Sequence, residues 1–310
     1  MLLQILFYLF IAISVIDIIH LGAYLVGANF YDIWQYRRRA RFPSRNHHKL
    51  QPKVSVLIPA HNESIGIIRC LDSVRVNTYR KLEIIVIDDA STDNTKSLVK
   101  QYIAKYPKRD IRLMYKQKNS GKAEALNHAL RRGTTGDLIM TLDADSVLHR
   151  KSITNAVSYF HDPRVVGVAA NVRILDSVSI LGLLQKFEHM IGYRSKKFFS
   201  ITNSEYIIGG VASTYRREIL KRVRFYDNDT ATEDIGLSLK VISAGNRDQR
   251  IIYASDVLAM TEGVRTFKAL VKQRYRWKLG SMQNLMKYHG LILNRGKQYS
   301  KGLTFYRLPM

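Results

Sequence analysis

Leu82-Glu83-Ile84-Ile85-Val86-Ile87-Asp88-Asp89 reads as a buried strand that ends on two carboxylates. Its apolar run is nearly continuous rather than alternating, as a strand covered on both faces requires. Upstream, Val54-Ser55-Val56-Leu57-Ile58-Pro59 is a second such run, closed by proline, and a helix is expected over 65–76. Downstream, the pattern predicts a helix over 95–106 capped from residues 91–94, a strand over 111–116 and a helix over 123–132. A strand over 137–142 follows and ends at Asp143. Strands and helices alternating at this spacing predict an α/β fold with a doubly wound, mostly parallel sheet. In such sheets ligands bind at the carboxyl ends of the strands, where these acidic residues stand.

Beyond residue 150 the periodicity loosens. Strands are expected over 165–170 and 249–253, and helices over 180–199, 235–244 and 266–288. Tyr206-Ile207-Ile208-Gly209-Gly210-Val211 reads as a short apolar strand or loop. Ahead of the sheet, residues 1–31 are apolar apart from Gln4, Asp17, His20, Asn29 and a few Ser and Tyr. Thirty helical residues span about 45 Å, enough for one tilted transmembrane helix. A cleaved signal peptide fits less well, because Met-Leu-Leu-Gln supplies no basic start. Asp17 and His20 share a helix face, either as a polar patch packed against protein or as a functional pair. Arg37, Arg38, Arg39, Arg41, Arg45, Lys49 and Lys53 follow, and the positive-inside tendency puts this flank and the rest of the chain in the cytosol. The expected organisation is an anchor over 1–34, a basic linker over 35–52, a main domain over 53–290 and a basic tail over 291–310.

The chain has 310 residues with 49 Lys and Arg against 25 Asp and Glu, a net charge of +24. This excess calls for an acidic partner: nucleic acid, anionic lipid or a phosphate-bearing substrate. A 46% hydrophobic content excludes wholesale disorder. Cys70 is the single cysteine, which excludes an intramolecular disulfide and agrees with a cytosolic location.

Asp143-Ala144-Asp145 can present two carboxylates to one divalent cation that also holds a diphosphate, or simply cap the next segment. Lys122, after Asn119-Ser120-Gly121, lies near a helix N-terminus that favours phosphate, or is a surface lysine beside a glycine turn. Thr232-Glu233-Asp234 is either helix-start chemistry, with Thr as cap, or the source of a general base for a hydroxyl. Gln273, Arg276 and Trp277 share a helix face, where Arg suits a diphosphate and the indole a sugar ring. The same pattern fits a core tryptophan beside solvated arginines.

Taken in order, Ile58-Pro59-Ala60-His61-Asn62-Glu63, Asp88-Asp89-Ala90-Ser91-Thr92-Asp93, Gly121-Lys122-Ala123, Asp143-Ala144-Asp145, Thr232-Glu233-Asp234 and Gln273-Arg274-Tyr275-Arg276-Trp277 resemble family 2 glycosyltransferases. The likeness covers residues 52–290 and is nearest to the membrane-bound synthases of poly-N-acetylglucosamine, chitin, hyaluronan and cellulose. It implies a GT-A fold, a UDP-sugar donor, Mg²⁺ or Mn²⁺, and inversion at the anomeric carbon. It implies further that Pro59, Ala60, Glu63, Asp88, Asp89, Lys122 and Asp143 surround the nucleotide, that Asp145 ligates the metal and that Asp234 is the catalytic base. Glu233, Gln273, Arg276 and Trp277 fall on the diphosphate and acceptor side, with Gly209 and Gly210 in a loop near the acceptor.

The polymer-secreting members carry further transmembrane helices after the Q-x-x-R-W region, whereas residues 302–310 stand where the next membrane segment would begin. A pore would therefore require a longer chain or a separate pore-forming membrane subunit. The leading expectation is extension of a β-linked glycan from UDP-N-acetylglucosamine, with membrane lipid beside the basic segments. Transfer of a single sugar to a lipid acceptor is the second reading. A catalytically silent basic scaffold or nucleic-acid binder is the third, though nucleic acid gives no reason for acidic clusters at successive strand ends, and no nucleic-acid partner is expected.

Overall fold

The computed structural model describes residues 2–41, 51–175 and 178–309. Arg45 and Lys49, with half of the expected linker, lie outside them. The described residues form one eight-stranded mixed sheet flanked by helices. The strands are β1 (Val54–Ala60), β2 (Leu82–Asp89), β3 (Ile111–Lys116), β4 (Leu138–Thr141), β5 (Val147–Leu148), β6 (Val165–Ile174), β7 (Thr214–Arg216) and β8 (Arg250–Thr261), in the order β3-β2-β1-β4-β7-β6-β8-β5. The pairs β1–β2, β1–β4, β2–β3 and β6–β8 are parallel; those of β7 with β4 and β6, and of β5 with β8, are antiparallel.

Alternation along β1 sends Val54, Val56 and Ile58 to one face of the sheet and Leu57 to the other. The first face packs on helices α3 (Ile67–Arg75), α4 (Thr95–Lys105) and α6 (Ser152–Tyr159). The second packs on α5 (Lys122–Arg132), α8 (Arg217–Arg222) and α9 (Glu233–Ser243). Both faces are covered, so the strands had to be apolar throughout. β1 and β2 run in register with Ala60 opposite Asp88, while β4 stops with Thr141 opposite Leu57. The carboxyl ends of all three strands therefore meet at one edge of the sheet.

The apolar N-terminal run does not continue as one helix to residue 31. Helix α1 (Leu2–Gly27) ends before a turn at Ala28 and Asn29, and α2 (Phe30–Arg41) starts afresh. Residues Leu3–Gly27 have a mean hydropathy of 2.3 and bury none of their apolar window in protein, so α1 is long and apolar enough to cross a membrane. The boundary expected at residue 34 falls inside α2, which is docked on the domain rather than free. β8 bulges where its pairing with β6 jumps from Ala170–Ala254 to Asn171–Leu258, leaving backbone groups of the bulge without sheet partners. Side chains take their place. The fully buried Tyr31 donates its hydroxyl to the Tyr253 carbonyl at 2.7 Å and accepts from the Ser255 amide at 3.3 Å. Asn171 and Asn155 donate to the carbonyls of Ser255 and Asp256, and Arg39 pairs with the Asp256 carboxylate at 2.7 Å.

Helix α7 (Ile180–Ile201) lies against α1 and α2. Arg194 on it donates to the Leu25 carbonyl and to Asn29, and Lys197 pairs with Asp32. His20 bonds Tyr306 at 2.6 Å and stacks on Phe199, so on its side the Asp17/His20 face is a polar patch packed against protein. The tail carries a short π-helical turn, Gly302–Arg307, and buries Leu291, Leu303 and Leu308 with Tyr206, Ile235 and Leu239.

Candidate active site

Asp89, at the end of β2, is 4% exposed and accepts from the amides of Ser120 and Gly121, the latter at 2.8 Å, and pairs with Lys116 at 3.2 Å. It thereby holds the turn that opens α5 with Lys122 at its first position. Asp88 is buried beside it and accepts from the Ser91 amide. Pro59 and Ala60 end β1 across from Ile87 and Asp88. Ala90 and Asn62, at φ 60° and 58°, hold the two neighbouring turns in the left-handed region that ordinary residues avoid. Asn62 accepts from the Thr92 and Asp93 amides and donates its own to Ser91, tying the loops after β1 and β2 together. Asp93, rather than Asn94, accepts from the Thr95 amide at the start of α4.

Lys122 is the hub. Its ammonium lies 2.5 Å from Asp143 and 3.6 Å from Glu233. Burial alone would lower its pKa, but Asp143, then Glu233 and Asp234, outweigh burial and raise it. Gly210 sits directly over this ammonium: a Cβ there would lie 2.7 Å from Lys122 Nζ and 3.8 Å from Asp234 Oδ2. The Gly209–Gly210 segment is a loop, not a strand. The structure therefore joins Lys122, Asp143, Glu233, Asp234 and Gly210 in one cluster.

The carboxylates around the hub crowd one another. Burial, and next Glu233, push Asp234 up to about 6 against the opposing pull of Lys122. Burial and then Asp145, Asp143 and Asp93 push Glu63 up to about 7. Asp145 is raised by burial and by Asp143, while the Ser146 hydroxyl bonds it at 3.0 Å. Glu262, before the helix α10 (Phe267–Lys287), adds negative charge to both Asp145 and Glu63.

Several framing residues carry no sequence signal. Thr141 donates to the Gly210 carbonyl at 2.9 Å. Lys196 on α7 donates to the Ile207 carbonyl at 2.7 Å. Ser238 donates to the Asp234 carbonyl at 2.8 Å and receives the Ile208 amide at 3.3 Å. These four bonds tie the glycine loop to the end of β4 just ahead of Asp143, to α7 and to the helix carrying Asp234. Only Ser238 was within reach of pattern reading, standing one helical turn after Asp234.

Thr232 corrects one expectation. It is the N-cap residue of α9, yet its side chain makes no cap bond; it turns instead toward α10. On that helix Arg274 is bidentate with Glu188, Nε to Oε1 and Nη2 to Oε2, donates to Gln273 and stacks over the Trp277 ring at 4.2 Å. Trp277 is 36% exposed, which sets aside a core role, and Arg276 is exposed. These contacts hold Gln273 and Trp277 to Arg274 and α7; α10 reaches the acidic cluster through its next turns, at Thr232.

Residues 55–224 match the family described as Glycosyl transferase family 2. Poly-beta-1,6-N-acetyl-D-glucosamine synthase of Staphylococcus aureus strain COL is 34% identical over 239 residues, which are 76% of this chain and 56% of that protein. The Staphylococcus epidermidis synthase is 31% identical over 246 residues, 78% and 58% of the two chains. The chain thus spans a little over half the length of these curated relatives. Among solved structures, mannosyltransferase PcManGT from Pyrobaculum calidifontis, in complex with GDP-Man and Mn2+, superposes with a TM-score of 0.69 at 24% identity over 93% of this chain and 79% of that one. S. aureus TarS 1-349 in complex with UDP-GlcNAc gives 0.53 at 16% identity over 83% and 82%. At these identities the likeness shows the fold, the GT-A arrangement of the sheet.

Proposed function

The chain belongs to glycosyl transferase family 2, and from that premise we propose that it transfers a sugar, with inversion, from a UDP-sugar to a growing β-linked glycan at the cytoplasmic face of a membrane. N-acetylglucosamine is the sugar we assign, since the relatives at 31–34% identity are named as synthases of its polymer. The observation that carries the reading is the cluster of Asp143, Glu233 and Asp234 around the Lys122 ammonium, under the Gly210 loop.

In this reading Asp234 takes the proton of the attacking acceptor hydroxyl, a task for which a carboxyl pushed up to about 6 is better matched than an ordinary aspartate. Lys122 faces the diphosphate leaving group, where negative charge grows as the glycosidic bond breaks. Asp88, Asp89, Pro59, Ala60 and Glu63 border the nucleotide; Gln273, Arg276 and Trp277 serve the diphosphate and the acceptor end. Asp143 and Asp145 suit a hard divalent cation, Mg²⁺ or Mn²⁺: their donors are carboxylate oxygens, and the raised pKa values of Asp145 and Glu63 mark a local excess of negative charge. Among the described residues no three His, Cys, Asp or Glu side chains are placed to hold a metal ion between them, so a cation held by Asp145 would need further oxygens from substrate or water. When bound, such a cation neutralises charge on the leaving diphosphate.

α1 supplies the membrane anchor, and the basic segments beside it face lipid. Membranes carrying the chain, given radiolabelled UDP-N-acetylglucosamine and Mn²⁺, should release UDP and yield a ladder or insoluble polymer. Asp145→Ala and Asp234→Asn should abolish this. A single mobile glycolipid would move the assignment to a lipid acceptor. No UDP release with any sugar nucleotide would overturn it.

A further inference from the structure

Asn284 is fully buried, and its amide nitrogen donates to the Thr232 carbonyl at 3.0 Å, to the Thr232 hydroxyl at 3.2 Å and to Gly280 of its own helix at 2.8 Å. Its amide oxygen has no partner. A leucine would fill the space without stranding a buried acceptor, so the directed bonds to Thr232 are what the asparagine provides. One turn earlier α10 presents Gly280, where a Cβ would lie 2.4 Å from the Thr232 hydroxyl and 2.7 Å from its amide nitrogen. The helix can approach this closely only with glycine there. Gln283 adds a bond from the Ala231 amide at 2.9 Å. Thr232 stands two residues before Asp234. Gln273, Trp277, Gly280 and Asn284 follow at i, i+4, i+7 and i+11, along one face of α10.

We infer that Asn284, seated by Gly280, is a positioning residue that fixes the turn carrying Asp234 against the helix carrying Gln273, Arg276 and Trp277. The inference rests on the reading of Asp234 as the base, and it adds a clamp between the base and the acceptor-side helix. Asn284 touches neither donor nor acceptor. Loss of the clamp lets the base drift while the nucleotide side, built on β1, β2 and α5, stays in place.

The test uses the full chain in detergent or nanodiscs. In Asn284→Ala, kcat should fall roughly 10–100-fold, the effect of about 1 Å of misplacement at a reacting centre, while UDP affinity by calorimetry stays within about twofold. Amide exchange over residues 232–236 should quicken. Gln283→Ala, a half-buried and milder change, should move kcat and exchange in the same direction by less, and serves if Asn284→Ala does not fold. Parallel loss of kcat and UDP affinity overturns the inference, as does an unchanged kcat in an active enzyme. If the wild-type chain turns over no sugar nucleotide, the functional reading fails by itself, and unchanged exchange in Asn284→Ala then overturns the clamp separately.

Discussion

Replacing Gly210 by alanine separates the chemistry from the fold. The added Cβ would stand 2.7 Å from Lys122 Nζ, where ordinary contact begins at 3.4 Å, so the ammonium must retreat by the difference of 0.7 Å. It now sits 2.5 Å from Asp143 and 3.6 Å from Glu233. A retreat of that size takes the Asp143 contact to the edge of hydrogen-bonding range or turns it elsewhere. If the ammonium stabilises the leaving diphosphate, the loss is roughly 10–100-fold in kcat, or about 1.4–2.7 kcal/mol of transition-state stabilisation. The atom displaced is the free end of a flexible side chain, so the stability should change by no more than a surface substitution changes it, about 0.5 kcal/mol. At Gly209 an added Cβ meets nothing within 4 Å, and Gly209→Ala should leave UDP affinity as it is. The assay is UDP release with a melting curve on each variant. Wild-type kcat in Gly210→Ala refutes the role given to Lys122. A melting point that collapses with the activity refutes the claim that the loop is tuned to the ammonium rather than to the fold.

With Asp234 as base and its carboxyl pushed up to about 6 in the free enzyme, kcat/KM should rise about tenfold per pH unit below that value and level off above it; Asp234→Asn should lose transfer at every pH while still binding UDP. Burial and its acidic neighbours hold Glu63 at about 7, so between the ordinary carboxylate range and pH 7 the unfolded chain gives up this proton first and stability falls as pH rises. Glu63→Gln should therefore be more stable than wild type at pH 8 by roughly 1–2 kcal/mol after solvent screening, and the gain should vanish near pH 4. Mn²⁺ binding to the wild type near pH 6.5 should release a proton, read as a buffer-dependent calorimetric heat that shrinks in Glu63→Gln. Tyr31→Phe strands the Tyr253 carbonyl and the Ser255 amide and should lower stability by about 1–3 kcal/mol without altering kcat.

The strand–helix half of the fold was legible because β1, β2 and β4 are buried on both faces, leaving an apolar run that cannot be mistaken for a polar loop. The other half was not. β5 and β7 span two and three residues, too few for any period to register. β8 runs to Thr261, well past its expected end, because Ser255 and Asp256 belong to a bulge and break the apolar pattern. The helix of residues 30–41 read as the end of the anchor and the start of the linker because its contacts are polar side chains meeting that bulge, a tertiary match invisible along the chain. Within the site, the acidic positions were legible because carboxylates at strand ends have few other reasons to be there. Thr141, Lys196 and Asn284 were not, since each acts by bonding a backbone carbonyl distant in sequence.

Docking of α2 on the β8 bulge decides how far the enzyme can roam. With α1 in a bilayer, the domain does not hang from a slack leash that would let it sample a broad shell of solution. Tyr31, Gln35 and Arg39 fasten it within a few residues of where the chain leaves the lipid. The site would then work as a stationary tool at constant height, serving acceptors presented at the membrane surface in preference to those diffusing free. Lengthening the turn at Ala28 and Asn29 with a flexible insert would give up that preference before it touched the chemistry.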